Sequence, residues 1–232
     1  MQPAIKIKTS EVSLWNYDWK KLSLIPDPGL SHSSFGSVKT IENQTLKIML
    51  ENEAKTRDEF LRNVAMQMMS AARTAPKARG VDNLEIIMLT GREKTALADK
   101  LEELAPIRER SFYVRDSGSI RAAGAVVLIG SRIKVMGLDC GFCGFDNCAD
   151  KQRFESVPCA FNATDLGIAT GSATAKAADC RVDSRVMFSA GDAAMELGLF
   201  PGCTIVLAIP ISATGKSPFF DRPAVHVPPT PE

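Results

Sequence analysis

Cys140, Cys143, Cys148 and Cys159 stand within one stretch of 20 residues, spaced C-x2-C-x4-C-x10-C. Two thiolates three positions apart can grip one metal centre. Gly141 and Gly144 follow the first two cysteines and carry no Cβ. Their backbone can therefore wrap closely and aim N–H groups at sulfur. Cys148 supplies a third corner, and Cys159 is within reach for the fourth. Three readings compete. An iron–sulfur cluster, a [4Fe–4S] cluster in particular, needs several thiolates on a tight glycine-bearing loop and is favoured. A structural zinc on four thiolates is the alternative metal, although zinc sites more often pair two short cysteine knuckles. The third reading is a set of unliganded thiols. Phe142 and Phe145 would shield a cluster from water or anchor the loop in the core. Asp139, Asp146 and Asp150 would oppose added negative charge and lower a cluster's potential.

The chain has six cysteines. Disulfides are not expected, because that framework belongs to short secreted chains that cannot build a core. The chain opens Met-Gln-Pro-Ala-Ile-Lys, without an apolar export segment. Reduced thiols in a cytoplasmic protein are the expectation. Cys203 begins an apolar run and Cys180 ends a predicted helix, so both read as buried inert thiols. Cys180 stays in reserve as a fourth ligand in place of Cys159.

Two further segments could do chemistry. Arg73, Lys77 and Arg79 surround a turn at a helix C-terminus. They either satisfy the helix dipole and its last carbonyls or hold a phosphate, and the first reading is favoured. Thr214, Gly215, Lys216 and Ser217 leave an apolar run and could bind an anion. The first glycine of a phosphate loop is missing there, so a solvated surface loop is favoured. His32 and His226 are the two histidines and lie near the chain ends. So few histidines draw no Ser-His-Asp or metal–histidine constellation.

The elements that must position these residues follow from hydrophobic period. Phe60, Leu61, Val64, Ala65, Met68, Met69 and Ala72 give one wide helical face from Thr56, which Pro76 ends. Leu84–Thr90 reads as a short strand, Thr95–Leu104 as an amphipathic helix, and Ala122–Ser131 as a second apolar strand. The cysteine loop follows. Asn162 or Thr164 is predicted to cap a small-residue helix through Leu166–Ala178. Ser184 is predicted to cap the next helix, which Gly198 ends. Thr204–Ile209 is a third strand. Strands separated by helices indicate an α/β (α+β) fold, a central sheet flanked by helices on both faces. Residues 1–44 read as an extension, 45–223 as the domain, with a cysteine-rich segment at 137–160, and 224–232 as a Pro-rich tail.

Composition bounds the function. The 232 residues carry 28 Lys+Arg against 27 Asp+Glu. That near balance excludes a polybasic nucleic-acid binder. No apolar run approaches the ~18–20 residues of a membrane span. The sequons at Asn43 and Asn162 are chance matches in a cytoplasmic chain.

Four strings carry a resemblance: Ala71-Ala-Arg-Thr-Ala-Pro-Lys-Ala-Arg-Gly-Val-Asp-Asn83, Gly137-Leu-Asp-Cys-Gly-Phe-Cys-Gly-Phe-Asp-Asn-Cys148, Pro158-Cys-Ala-Phe-Asn-Ala-Thr-Asp-Leu-Gly-Ile-Ala169, and Ser212-Ala-Thr-Gly-Lys-Ser-Pro-Phe-Phe-Asp-Arg222. Over about residues 45–223 the chain resembles the uncharacterised ferredoxin-domain-containing family, domain of unknown function 2148. The order of elements also resembles a nitroreductase-type flavin fold. That resemblance implies an intertwined homodimer with FMN at the interface, and Arg73, Lys77, Arg79 and Lys216 as its phosphate contacts. The cysteine loop is then an insert on that scaffold. Lys55, Thr56 and Arg57 stand where such flavoproteins carry an Arg-Arg-Ser-x-Arg motif. The implied function is iron–sulfur electron transfer, or an FMN- and/or iron–sulfur-dependent oxidoreductase working with a redox partner protein. The alternative is a non-catalytic binding or structural protein with four-cysteine zinc, or no metal, and no flavin.

Overall fold

The computed structural model describes residues 52–220. The predicted extension 1–44 and tail 224–232 lie outside the described residues, with both histidines. Helix α1, Glu53–Thr74, starts at Asn52, whose side chain accepts the Ala54 N–H at 3.0 Å. It stops at Ala75, which is extended (φ −56°, ψ 141°), because Pro76 excludes a helical residue before it. A 3-10 turn at Ala78–Gly80 leads into strand β1, Leu84–Leu89. Helices α2, Gly91–Ile107, and α3, Phe112–Ala122, precede strand β2, Ala125–Arg132. The cysteine loop holds the short helix α4, Cys148–Gln152, and ends in α5, Ala160–Asp179. A two-residue strand β3, Asp183–Ser184, helix α6, Phe188–Glu196, and strand β4, Cys203–Ser212, complete the body.

The sheet runs β1-β2-β4-β3, with every pairing antiparallel. Side chains alternate across it, as a strand's period of two dictates. Ala125, Val127, Ile129, Ile209 and Ile211 face α1 and α5. Val126, Leu128, Val206 and Ala208 face α2, α3 and α6. The fold is therefore a three-layer α/β protein, a central antiparallel sheet covered on both faces. Each fully buried Leu, Ile or Val on these faces contributes about 1.5–3 kcal/mol. Among the described residues no helix is long and apolar enough to cross a membrane.

Three local expectations need correction, and one helix went unpredicted. The second strand begins at Ala125 rather than Ala122, because Ala122 closes α3. Helix α3 itself has no strong sequence signal: Ser117, Gly118 and Ser119 interrupt its apolar face. Helix α5 begins at Ala160, with Cys159 rather than Asn162 or Thr164 at its N-cap. Ser184 lies in β3, and Met187 stands at the N-cap of α6. Gly198, at φ +71°, ends α6 by donating its N–H to Met195, as the sequence indicates.

Candidate functional site

The cysteine loop leaves β2 and returns into α5, so both of its ends are fixed to the body. Its turns use left-handed backbone. Gly137, Gly141 and Gly144 have φ of 66°, 72° and 82°, and Asp139 has φ of 46°. A glycine adopts such angles at no steric cost, while Asp139 holds its own through two bonds. Its N–H donates to Cys148 Sγ at 3.3 Å, and its Oδ1 accepts the Cys148 N–H at 2.7 Å. Asn147 then caps α4, accepting the Asp150 N–H at 2.9 Å, and donates to Asp150 Oδ2 at 2.7 Å.

All four predicted thiols line one cavity. Cys140, Cys143, Cys148 and Cys159 share it with Met136 and Phe145, among others. The cavity is small, about 10 Å3, room for about one water. Cys140 is exposed, Cys143 and Cys148 are half-buried, and Cys159 is buried; none is in a disulfide. Among the described residues, no three of His, Cys, Asp and Glu converge as a single ion requires. The four thiols therefore line one small cavity without meeting at a point. Cys159 is the N-cap of the 20-residue α5, where the helix dipole favours negative charge.

The aromatic residues divide. Phe145 lines the cavity and packs on Phe154, with ring centroids 5.3 Å apart. Phe142 turns outward, 75% exposed, and stacks on Phe161 at 5.7 Å.

Cys180 caps the far end of α5. Twenty helical residues span about 30 Å, so Cys180 is remote from the other thiols. Cys203 packs against Gly130 and the Phe200 ring region. Burial pushes its thiol pKa up despite nearby Arg132. Neither side chain is fully buried, in contrast to the expectation.

The basic turn is tied into the chain. Lys77 Nζ donates to the carbonyls of Ala72, Arg73 and Ala75 at 3.3, 2.6 and 2.8 Å. It thus satisfies the end of α1. Arg73 bonds Asp82 at 2.6 Å and the Leu84 carbonyl at 2.9 Å. Partial burial pushes the Asp82 carboxyl up, but the Arg73 and Leu84 hydrogen bonds outweigh it and hold the pKa below the usual carboxylate range. Arg79, at φ +55°, donates to the Met136 carbonyl at 2.7 Å, which joins this turn to the start of the cysteine loop. Asp165 accepts the Ala78 N–H at 3.0 Å and joins the turn to α5.

Lys216 is elsewhere. It follows the end of β4 that pairs with Ala125, whereas β1 begins opposite Ser131. Six residues of strand separate these ends by about 20 Å. Thr214, Gly215 and Lys216 are exposed, but Phe219 is buried in the core, so the segment is only in part the solvated loop expected.

Sequence reasoning passed over Lys151. It is 1% exposed and stands one turn after Cys148 in α4. The Asn147 cap, three residues before Asp150, was the available signal for that helical turn.

Fold and loop together define an α/β protein whose cysteine loop brings four thiols to one cavity. The chain belongs to the family described as "Uncharacterized protein containing a ferredoxin domain (DUF2148)", whose model matches residues 155–222. A relative from Archaeoglobus fulgidus is 39% identical over 182 residues, which cover 75% of this chain and 98% of the relative. Solved structures similar to the chain include a nitroreductase with bound FMN from Desulfitobacterium hafniense, 15% identical with a TM-score of 0.46, covering 72% of this chain and 82% of the other. They also include a BluB-like flavoprotein from Clostridium difficile, 16% identical with a TM-score of 0.45, covering 71% and 85%.

Proposed function

We propose that the protein is an iron–sulfur redox protein in which Cys140, Cys143, Cys148 and Cys159 hold one [4Fe–4S] cluster. The observation that carries this reading is the common cavity lined by all four thiols. Membership of a ferredoxin-domain family supports a redox role. The donor set fits: four free thiols, a backbone N–H already directed at Cys148 Sγ, and a helix N-terminus beneath Cys159. Such a cluster, when bound, passes single electrons. The residues of the chain hold it, screen it with Phe145 and Met136, and present the exposed Cys140 edge to a redox partner protein.

Anaerobic reconstitution with iron and sulfide tests this. The expected product is brown and contains about four irons per chain, the stoichiometry of such a cluster. Stoichiometric zinc without sulfide, in protein purified without air, would sink the proposal.

For FMN, Arg73, Lys77, Arg79 and Lys216 remain the candidate phosphate contacts. Within one chain Lys216 does not reach the other three, so a phosphate that meets all of them needs two copies of the chain. This supports treating flavin binding and homodimer formation as one question. A yellow flavin spectrum that appears only with a dimer answers it one way; a flavin bound by monomer answers it the other.

A further inference from the structure

A groove lies beside the cluster cavity. It shares Asp139 and Cys148 with that cavity, and its wall also includes Lys134, Ala149, Lys151 and Gln152. Its volume is about 800 Å3. Lys151 is 1% exposed, and the little it exposes is part of this wall. Its ammonium has no hydrogen-bond or ion-pair partner among the described residues. The aliphatic stem of Lys151 is packed away, and the side chain reaches the groove wall without a protein partner among the described residues to neutralise its charge. Of the two carboxylates on the wall, Asp139 accepts the Cys148 N–H through Oδ1 at 2.7 Å. Glu155, also on the wall, is exposed, where water weakens its pull.

We propose that this groove binds the oxyanion of a small molecule, a carboxylate or a phosphate, with Lys151 as the buried countercharge. Gln152 and Lys134 add donors from the same wall. The bound molecule then sits one helical turn from Cys148. The site is built by the loop and α4. It does not rest on the proposed function, because anion binding does not need the cluster.

The test is calorimetric titration of the full chain at fixed ionic strength, with inorganic phosphate in one arm and malonate in the other. Each arm is run on the anaerobically reconstituted protein and on the iron-free protein. Iron, sulfide and visible absorbance are measured on the same samples, so failure of the cluster and failure of the anion site are read separately. Saturable binding in one arm is expected. K151Q should weaken it about ten- to a hundredfold, the worth of a charge-assisted hydrogen bond. K151R should stay within about threefold, since the charge remains. If K151Q does not fold, Ala149→Asp carries the test: it puts a repelling charge on the exposed part of the same wall and should weaken binding about tenfold. No saturable binding to wild type, or unchanged affinity in K151Q or A149D, overturns the proposal. So does a K151Q protein whose cluster potential shifts while wild type binds neither anion; Lys151 is then the countercharge of the cluster.

Discussion

The two faces of the sheet solve different problems. On the face covered by α2, α3 and α6, polar groups are closed into networks. Buried Asp116 accepts from Ser189 at 2.6 Å and from Arg115 at 2.9 Å. Tyr113 donates to Asp192 at 2.9 Å, and Arg108 bridges Asp192 and Glu196. Arg121 bridges Asp99 and Glu102. On the other face, α5 meets α1 through small residues: Ala169, Ala173 and Ala177 are fully buried. The loop at the end of that face holds its shape with left-handed backbone, two bonds between Asp139 and Cys148, and Arg79 on Met136. It also carries free thiols and an unpartnered buried lysine. One face closes its polar groups into hydrogen-bond networks, while the loop at the end of the other leaves its cysteines outside any disulfide. Substitutions should therefore separate: those on the first face change folding, those at the loop change metal.

The largest expected effect is at the loop. Cys143→Ser or Cys159→Ser should reduce iron after reconstitution from about four per chain to less than one, because each removes a thiolate corner. Cys180→Ser should leave iron unchanged, since α5 holds it about 30 Å away. Iron lost equally in Cys180→Ser would erase the distinction between the ends of α5.

The next effect is on the opposite face. A Cβ at Gly191 would stand 1.8 Å from the Val206 carbonyl oxygen, and that contact is with backbone, which cannot swing aside. Gly191→Ala should cost about 3 kcal/mol, the upper range for overpacking, read from urea unfolding. The folded fraction should still take up iron. Ser189→Ala is milder. It removes one hydrogen bond from buried Asp116 while Arg115 remains, a loss of about 1–2 kcal/mol. Loss of iron uptake with intact stability in either variant would break the separation of the faces.

The sequence made the two faces legible to different degrees. The α1 stripe at Leu61, Val64, Ala65 and Met68 and the apolar β2 and β4 were readable from period, since the core imposes it. The four thiols were readable from spacing, because a chelating loop must be local. Helix α3 was not readable: its buried positions include Asp116, Ser117 and Ser119, which look like a loop until Ser189 and Glu102 supply their partners. Those partners lie 73 and 15 positions away in the chain. Lys151 was missed as well. Charged residues on a short segment ordinarily read as solvated, whereas Lys151 is 1% exposed.

The smallest expected effects are the pH responses of the two faces, and their signs are opposite. Beside the cysteine loop, Asp82 has its pKa held below the ordinary carboxylate value by Arg73 and Leu84, against the opposing push of burial. Its contribution to stability is present above the unfolded value and lost as pH falls through the folded one. On the far face, burial and then the Asp192 carboxylate push the Tyr113 phenol up. A raised value means the neutral phenol is favoured by folding. That contribution is complete below the ordinary tyrosine value of about 10 and is lost as pH rises through the folded one. Urea midpoints should thus fall on the acid side through Asp82 and on the alkaline side through Tyr113. D82N should flatten only the acid limb and Y113F only the alkaline limb. The Asp82 pair is partly exposed, so its limb should be the shallower and should shrink with added salt. An alkaline limb that survives Y113F would mean that the closed network around Asp192 does not set the alkaline stability of that face.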